Sequence, residues 1–329
     1  MIQSFFTPRA FRIVGLTTVV AVYFLIAVGG IVRASGAGMG CPDWPTCFGQ
    51  WIPPTDESQL PANYQEIYAE RGYADTTFNV VKTWTEYINR LIGVTIGILI
   101  FLTLVSSYSY WQTDRTVTVL SFVSFLLVAF QGWLGAKVVE SNLTPLLITA
   151  HMVIALLLVS ILLYVVVRAQ RSVFHFGTVT PSPGLQALML VVLGLSLLQV
   201  VMGTQVRETI DKAVELFGED KRYLWAESLG FGFYVHRTFS MVVFAVNFAL
   251  AMKIVRETNE YGIIQVCAIA ANALILFEIA TGAALYYLAM PAVLQPTHLL
   301  LANLIFGLQF FMLLGYRYGS ANGKEATAQ

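Results

Sequence analysis

The sequence predicts an all-α polytopic membrane protein whose eight transmembrane helices form two pseudo-symmetric four-helix bundles. Three observations lead to this prediction: the composition, the spacing of the apolar segments and an internal repeat. Of the 329 residues, 57% are hydrophobic and 12% are charged, whereas a soluble domain carries about a quarter charged residues. The formal net charge is zero, so we expect the lipid bilayer as a partner and no general attraction to nucleic acid.

The apolar residues are concentrated in segments of about twenty residues, the length that crosses a bilayer core. Because backbone inside lipid must satisfy its own hydrogen bonds, each segment is predicted to be a helix. The first segment follows Arg9 and Arg12 but is too long for the apolar region of a secretory signal, so we interpret it as a retained span. The predicted spans are residues 11–33, 84–108, 117–138, 145–167, 185–206, 232–255, 262–288 and 295–317.

The distribution of charge predicts the orientation of these helices. The loops at one face carry mostly Arg and Lys, whereas two long loops at the opposite face, residues 34–83 and 207–231, are rich in Asp and Glu. Basic loops stay in the cytoplasm. The sequence therefore predicts a bacterial inner-membrane protein with both termini cytoplasmic and both long loops outside. His175 falls in a cytoplasmic loop and is interpreted as a solvated residue.

An internal repeat divides the spans into two sets of four. "EYINRLIG" begins the second span and "FYVHRTFS" the sixth, which aligns Asn89 with His236. "TPLLITAHM" begins the fourth span and "QPTHLLLAN" the eighth, which aligns His151 with His298. Both pairs are separated by 147 residues (89 to 236 and 151 to 298), which chance does not readily produce. The predicted halves, each a bundle that could hold a cofactor in its interior, are residues 1–175 and 176–329.

Histidines near the outer helix ends are the candidate metal ligands. A histidine in a membrane helix is costly unless it has a partner. His236 and His298 begin spans six and eight at similar depth, and two facing imidazoles are the axial ligands of a six-coordinate haem b. Zinc is the alternative, but it requires three or four ligands and no further Cys or His lies at that depth. A hydrogen-bonded packing role also stays open.

Four arginines lie at the same level as these histidines. Arg237 follows His236, and Arg207 in "GTQVR" ends the fifth span. Cations at this depth suit the anionic propionates of a haem. Arg33, in the similar sequence "GGIVR", and Arg90, aligned with Arg237, are predicted to do the same in the N-terminal half. Simple anchoring at the membrane interface is the alternative.

The N-terminal half differs from this design at two positions. His151 is retained, but the partner position is Asn89, and an amide is a poor iron ligand, so one axial position of a haem here would stay open. Glu86 lies one turn before Asn89 on the same helix face, where the sixth span has Phe233. An acid in one half suggests that this half performs proton transfer or stabilises a cationic intermediate. Pairing of Glu86 with a neighbouring cation such as Arg90 is the alternative.

Cys41 and Cys47 flank the loop "CPDWPTC". Five residues between them exclude the C-x-x-C-H pattern of covalent haem attachment, and zinc would lack a second ligand pair. An isolated close pair outside the cytoplasm usually forms a disulfide. A structural staple and a redox-active pair both stay open.

Glu278 lies well within the seventh span. A buried acid in a helix bundle can relay protons or bond to a neighbouring helix, and the sequence leaves both open. Cys267 on the same span is interpreted as a small packing residue.

Taken in order, these motifs resemble the haem A synthase family over essentially the whole chain. The motifs are "GGIVRASGAG", "CPDWPTC", "EYINR", "TPLLITAH", "VHR" and "PTH". The resemblance implies a haem b between His236 and His298, and haem O as the substrate near His151. It also implies that Glu86 is the catalytic carboxylate that helps to oxidise the C8 methyl of haem O to a formyl group, with water as the oxygen source. The cysteine pair would then take part in electron or haem transfer, or shape the loop.

The resemblance further implies haem O synthase (protohaem farnesyltransferase) and cytochrome oxidase assembly factors as partners. Two departures concern the substrate site: Asn89 stands where many members have histidine, and the loop after Arg207 lacks a second cysteine pair. The first alternative function is a di-haem b-type cytochrome between a quinol and a periplasmic partner, which does not account for Glu86 and Asn89. A transporter is the second, but its broken helices near mid-membrane are not indicated.

Overall fold

The computed structural model describes residues 7–171, 173–174, 176, 182–218, 220–257 and 262–327. This part of the chain contains ten α-helices and no β-strand: α1 (Pro8–Ala34), α2 (Tyr64–Ile67), α3 (Val80–Ser107), α4 (Arg115–Glu140), α5 (Pro145–Ala169), α6 (Pro183–Phe217), α7 (Arg222–Glu227), α8 (Phe231–Glu257), α9 (Ile263–Tyr287) and α10 (Leu294–Thr327). All except α2 and α7 are long and apolar enough to cross a membrane, which confirms the eight predicted spans. His175 lies outside the described residues.

Local sequence signals account for where several spans begin. Thr7 accepts a hydrogen bond from the Ala10 amide (3.1 Å), and a proline occupies the first turn of α1. Asn79 caps α3 by accepting from the Lys82 amide at 3.0 Å. Side-chain oxygens at these positions satisfy amides that have no partner inside the helix, so each span begins at a defined residue.

The eight spans pack as two rings of four. In the first ring, α1 contacts α3, α3 contacts α4, α4 contacts α5, and α5 returns to α1. In the second, α6, α8, α9 and α10 contact one another in the same order. The rings meet where α1 and α5 of one face α6 and α10 of the other, so first and last spans form the boundary between the halves.

The turns that join the third and fourth spans of each half have matching backbone geometry. Asn142 and Leu143 have φ of 52° and 62°, and Ala289 and Met290, each 147 residues later, have φ of 56° and 55°. In both turns the second residue donates its amide to the carbonyl five residues earlier, at 2.9 Å. Left-handed non-glycine residues are uncommon, so two consecutive ones at equivalent positions support the repeat. The symmetric relation of the whole bundles stays a prediction.

Polar contacts and small residues join helices inside the bundles. Thr18 and Thr103 share a hydrogen bond of 2.9 Å between α1 and α3, and Gln309 donates to Asn247 at 3.0 Å between α10 and α8. At the boundary, a Cβ on Gly307 would overlap the Tyr23 hydroxyl. Because the hydrophobic effect does not drive helices together within lipid, such contacts fix the position of each helix.

The prediction of a long outer loop at residues 207–231 is wrong, because much of this segment is helical. Helix α6 continues to Phe217, and α7 follows after four residues. Ile210 and Ala213 on this extension are buried against Trp225 and Leu229. An amphipathic segment lowers the average hydropathy of its window, so a search for uniformly apolar segments ends the helix too early.

Candidate functional site

Glu86 is buried near the beginning of α3, with 3% of its surface exposed. Its Oε2 accepts a hydrogen bond from the Cys41 amide at 2.8 Å, and its Oε1 accepts from Arg90 Nε at 3.1 Å. Arg90 Nη2 also bonds to Oε1, one turn further along the same helix. Both oxygens are therefore engaged, one by the cysteine loop and the other by a cation, so the pairing with Arg90 that the sequence left open as the alternative is present.

Arg90 uses all five of its N–H groups. Besides the two bonds to Glu86, Nη1 donates to the carbonyls of Asp43 (2.7 Å) and Thr46 (2.9 Å), and Nη2 donates to the carbonyl of Cys41 (3.2 Å). A guanidinium has five such donors. Arg90 therefore anchors the loop to α3, and its expected role as a propionate ligand stays a prediction that requires some of these bonds to break.

The cysteine loop is closed in two ways. Cys41 and Cys47 are joined by a disulfide, with their Cα atoms 4.8 Å apart, and both residues are fully buried. The carboxylate of Asp43 accepts from the amides of Phe48 (2.6 Å) and Gly49 (2.9 Å). Burial of both cysteines favours the structural interpretation of the pair, because a disulfide enclosed in this way is poorly accessible to a thiol.

Residues 36–79 form a folded cap whose centre is Phe48. Four rings surround Phe48 edge to face, at centroid distances of 5.3 to 6.3 Å: Tyr64, Tyr68, Tyr73 and Phe78. Burial raises the pKa of Tyr73, so its hydroxyl stays protonated and donates to the carbonyl of Met39 at 2.7 Å. Edge-to-face pairs of this kind stabilise a small core beyond the area that they bury.

The cap is held against the outer end of α3 by several side chains of that helix. Thr83 donates to the carbonyl of Gly40 (2.9 Å), Trp84 to that of Pro54 (3.2 Å) and Tyr87 to that of Trp51 (2.6 Å). On its other side, the cap contacts the turn between α4 and α5. There the side-chain amide of Asn142 donates through Nδ2 to the Glu70 carbonyl at 3.0 Å. The cap therefore spans the mouth of the N-terminal bundle, between Glu86 and the helix that carries the fourth-span histidine.

We expect Gly40→Ala to loosen the cap. A Cβ at this position would overlap the Lys82 carbonyl and lie 2.9 Å from the Thr83 amide nitrogen, so backbone would have to move. Overpacking of this kind costs about 1–3 kcal/mol. The measurement is the thermal unfolding midpoint and the rate of protease cleavage within residues 36–79. Gly38→Ala is the matched control, since its Cβ would meet only the movable tip of Leu143, at 3.3 Å. Equal cleavage rates in both variants would contradict this packing.

The three candidate histidines His151, His236 and His298 each lie against a glycine of a neighbouring helix. A Cβ added to that glycine would lie 3.2 to 3.5 Å from the ring Cε1 atom; the pairs are His151 with Gly135, His236 with Gly203, and His298 with Gly282. The first and third pairs are again 147 residues apart at both members. Glycine lets each ring lie close to the adjacent helix backbone.

Amides from neighbouring helices hold the backbone next to two of these histidines. Gln131 donates to the carbonyl of His151 at 2.9 Å, and Gln199 donates to the carbonyl of His236 at 3.1 Å. These bonds bypass the rings: Nδ1 of His151 and of His236 is buried without a hydrogen-bond partner among the described residues, as is Oδ1 of Asn89. Buried polar atoms are usually paired, so these atoms indicate a ligand within the bundles.

His298 is held differently. Its Nδ1 lies 2.9 Å from Thr281 Oγ1 and 3.2 Å from Glu278 Oε1. Of the two roles left open for Glu278, contact with a neighbouring helix is therefore present. Sequence reasoning missed the connection with His298, although the repeat contained the signal, since Glu278 aligns with Gln131 as His298 aligns with His151.

Two of the predicted arginines meet at the boundary between the halves. Arg33 Nη2 lies 2.5 Å from Asp211 Oδ2, and Arg207 Nε donates to Asp211 Oδ1 at 2.8 Å. Arg207 also bonds to Gln295 at the beginning of α10. Asp211 lies on the α6 extension that was expected to be a loop, which is why the sequence did not suggest this contact. Binding of propionates by these arginines stays a prediction.

Arg237 lies apart from this cluster. Its side chain is exposed and its guanidinium lies 5.5 Å from the ring centroid of Tyr234 and 5.9 Å from that of Phe233. Cation–π contacts on an exposed surface are weak, so the guanidinium can leave them for an anion at modest cost.

The donor set fits a haem. Within the described part of the chain, no hydrogen bond uses Nε2 of His151, His236 or His298, so each ring can present a nitrogen to iron. In the C-terminal half two such rings are available, and in the N-terminal half there is one imidazole and the amide of Asn89. This difference matches a low-spin electron-transfer haem in one half and a haem with one open coordination position in the other.

Comparison with known proteins gives a consistent result. The model of a family described as cytochrome oxidase assembly protein (COX15-CtaA) matches residues 12–310. The chain is 31% identical over 188 residues to a haem A synthase of Shewanella oneidensis, an alignment that covers 56% of this chain and 53% of the relative. A haem A synthase of Alkalihalophilus pseudofirmus is 25% identical over 144 residues, 44% of this chain and 41% of the relative. The chain thus spans about half the length of these two relatives. A haem A synthase of Bacillus licheniformis is 23% identical over 329 residues, 94% of this chain and 97% of the relative.

Proposed function

Because this chain belongs to the COX15-CtaA family of cytochrome oxidase assembly proteins, we propose that it is a haem A synthase, an integral membrane oxidoreductase. Its substrate is haem O, whose C8 methyl becomes a formyl group. With water as the oxygen source, conversion of –CH3 to –CHO releases four protons and four electrons. The haem A synthase relatives support the substrate, and the buried Glu86–Arg90 pair beneath the cap is the observation that carries the assignment of the reacting half.

In this proposal His236 and His298 of the C-terminal half would hold haem b. When bound, this haem supplies one-electron transfer away from the substrate site. Glycines at 203 and 282 let the two rings lie against their neighbouring helices. Arg207 and Arg237 lie at the same outer level and are the candidates for its propionates.

The N-terminal half would bind the substrate haem O, with His151 as the residue that would hold its iron. Glu86 lies one turn outward from Asn89 on the same face of α3, so it lies beside the outer edge of this pocket. Its carboxylate receives protons released from the methyl carbon and from water, and Arg90 and the Cys41 amide hold it in place. Arg33 is the candidate for a propionate in this half.

The asymmetry of the halves supports chemistry in only one of them. Phe233 lies where the repeat would place an acid equivalent to Glu86, and its ring stacks on Tyr286 at 4.9 Å. The second half thus has an apolar surface where the first has a carboxylate. We propose that substrate comes from haem O synthase and that product passes to cytochrome oxidase assembly factors. We place the protein in the bacterial inner membrane, with both termini cytoplasmic and the haem sites near the outer face.

The test is pigment analysis after co-expression with a haem O synthase in a host that makes no haem A. We expect haem A only in cells that contain this chain, and a b-type spectrum whose C-terminal component is lost in His236→Ala. Extracted haems are separated and identified by mass. Haem b with unconverted haem O would overturn the proposal. If the purified protein then oxidised quinol without forming haem A, the di-haem cytochrome would be the correct function.

A further inference from the structure

Glu278 is a buried acid that the proposed reaction does not use. It lies within α9, its side chain is 16% exposed, and its nearest charged or ionisable neighbour is His298, at 3.2 Å. Its second oxygen, Oε2, is buried with no hydrogen-bond partner among the described residues. An ionisable residue inside a membrane helix is costly and usually functional. The contact with His298 is therefore the feature that points to a role for Glu278.

The contacts of His298 Nδ1 bear on which nitrogen of its ring carries the hydrogen. Thr281 Oγ1 lies 2.9 Å from the carbonyl of Glu278, to which it donates, and 2.9 Å from His298 Nδ1, from which it can then accept. Glu278 Oε1 lies 3.2 Å from the same nitrogen. Because a carboxylate oxygen and a hydroxyl oxygen both face this nitrogen, we assign the hydrogen to Nδ1, which leaves the lone pair of the neutral ring on Nε2. That tautomer presents Nε2 to a metal, and the hydrogen bond of the other nitrogen selects it.

The N-terminal half has no such arrangement. Gln131, at the position equivalent to Glu278, donates to the backbone carbonyl of His151 at 2.9 Å, while Nδ1 of that ring has no partner in the described part of the chain. Leu134 occupies the position equivalent to Thr281. The C-terminal half therefore places a carboxylate and a hydroxyl beside His298, whereas the equivalent His151 has neither beside its Nδ1 in the described part of the chain.

We infer that Glu278 is a positioning residue for His298 and, through it, lowers the reduction potential of the haem in the C-terminal half. This inference rests on the proposed function, because it takes His298 to be an axial ligand. A carboxylate that accepts from Nδ1–H increases electron donation from Nε2, which stabilises ferric over ferrous iron. A lower potential makes this haem a stronger electron donor and a weaker electron acceptor.

The test is a potentiometric titration of the purified full-length protein at fixed pH, followed in the α-band. The C-terminal haem is identified as the component that His236→Ala removes. We expect Glu278→Gln to keep this haem but to favour its reduction about tenfold, which is about 59 mV for one electron. Glu278→Asp should give a smaller shift, and Thr281→Val a shift in the same direction. The N-terminal component should not move in any of these variants.

Glu257→Gln is the matched control. This acid pairs with Lys253 at 2.6 Å, at the opposite end of α8 from His236 and roughly 30 Å along the helix at about 1.5 Å per residue. Its loss should leave both potentials unchanged. A C-terminal haem with the wild-type potential in both Glu278→Gln and Thr281→Val would overturn the inference. Absence of any component sensitive to His236→Ala would instead contradict the proposed haem b site, so the two failures are distinguishable.

Discussion

Glu86→Gln is expected to reduce conversion of haem O to haem A by about 10²–10⁴-fold, the contribution of a positioned proton acceptor. The glutamine is the same size and can still accept from the Cys41 amide, but it cannot take a proton from the substrate. The haem b of the other half should keep its spectrum, since the hydrogen bonds of Glu86 in the described part of the chain go to α3 and the cap. The measurement is the ratio of haem A to haem O extracted from cells that express equal amounts of each variant.

Two further variants separate chemistry from folding. Glu86→Asp keeps the charge but shortens the side chain, so we expect partial activity. Glu140→Gln removes an exposed acid at the same outer face, paired with Lys137, and should convert haem O at the wild-type rate. If Glu86→Gln formed haem A as the control does, the carboxylate would not be the proton acceptor, and the N-terminal half would lose its main assignment.

The sequence predicted the spans well because hydropathy alone decides which segments stay in lipid. It also singled out the histidines and Glu86 as candidates, since a polar group among apolar neighbours is conspicuous in one dimension, and their roles stay predictions. The repeat at 147 residues added the alignment of Asn89 with His236, and the matching turns at Asn142 and Ala289 agree with it. These features are local or periodic, and a linear pattern can contain them.

Contacts between distant segments could not be predicted in this way. The anchoring of the cysteine loop by Arg90 depends on where three backbone carbonyls lie in the folded cap. The direction of a backbone carbonyl cannot be predicted from residue type. Asp211 joins Arg33 to Arg207 only because α6 continues as an amphipathic helix. In both cases the arginines make contacts within the protein that the sequence did not suggest. Their binding of haem propionates, which the sequence suggested from the side-chain type, stays a prediction.

Arg90→Met is expected to release the cap from α3 and to destabilise the protein by about 3–5 kcal/mol, the cost of leaving a buried charge without its partner. Glu86 and Arg90 have side chains only 4% and 13% exposed, so water cannot replace the lost cation. Three carbonyls of the cysteine loop also lose their donors. The measurement is thermal unfolding, together with the rate of protease cleavage in residues 36–79.

The pair can be separated from the loop contacts by a double-mutant cycle. Glu86→Gln combined with Arg90→Met removes the uncompensated charge, so it should be more stable than Arg90→Met alone, while the cap should remain sensitive to protease. Arg90→Lys keeps the charge but offers three donors in place of five, and should loosen the cap with a smaller loss of stability. Arg237→Met, at the equivalent position of the other half, is the matched control, because this exposed side chain has no contact with the cap to lose. If the cap of Arg90→Met resisted protease as well as that of Arg237→Met, Arg90 would not be its anchor and would be available for a propionate instead.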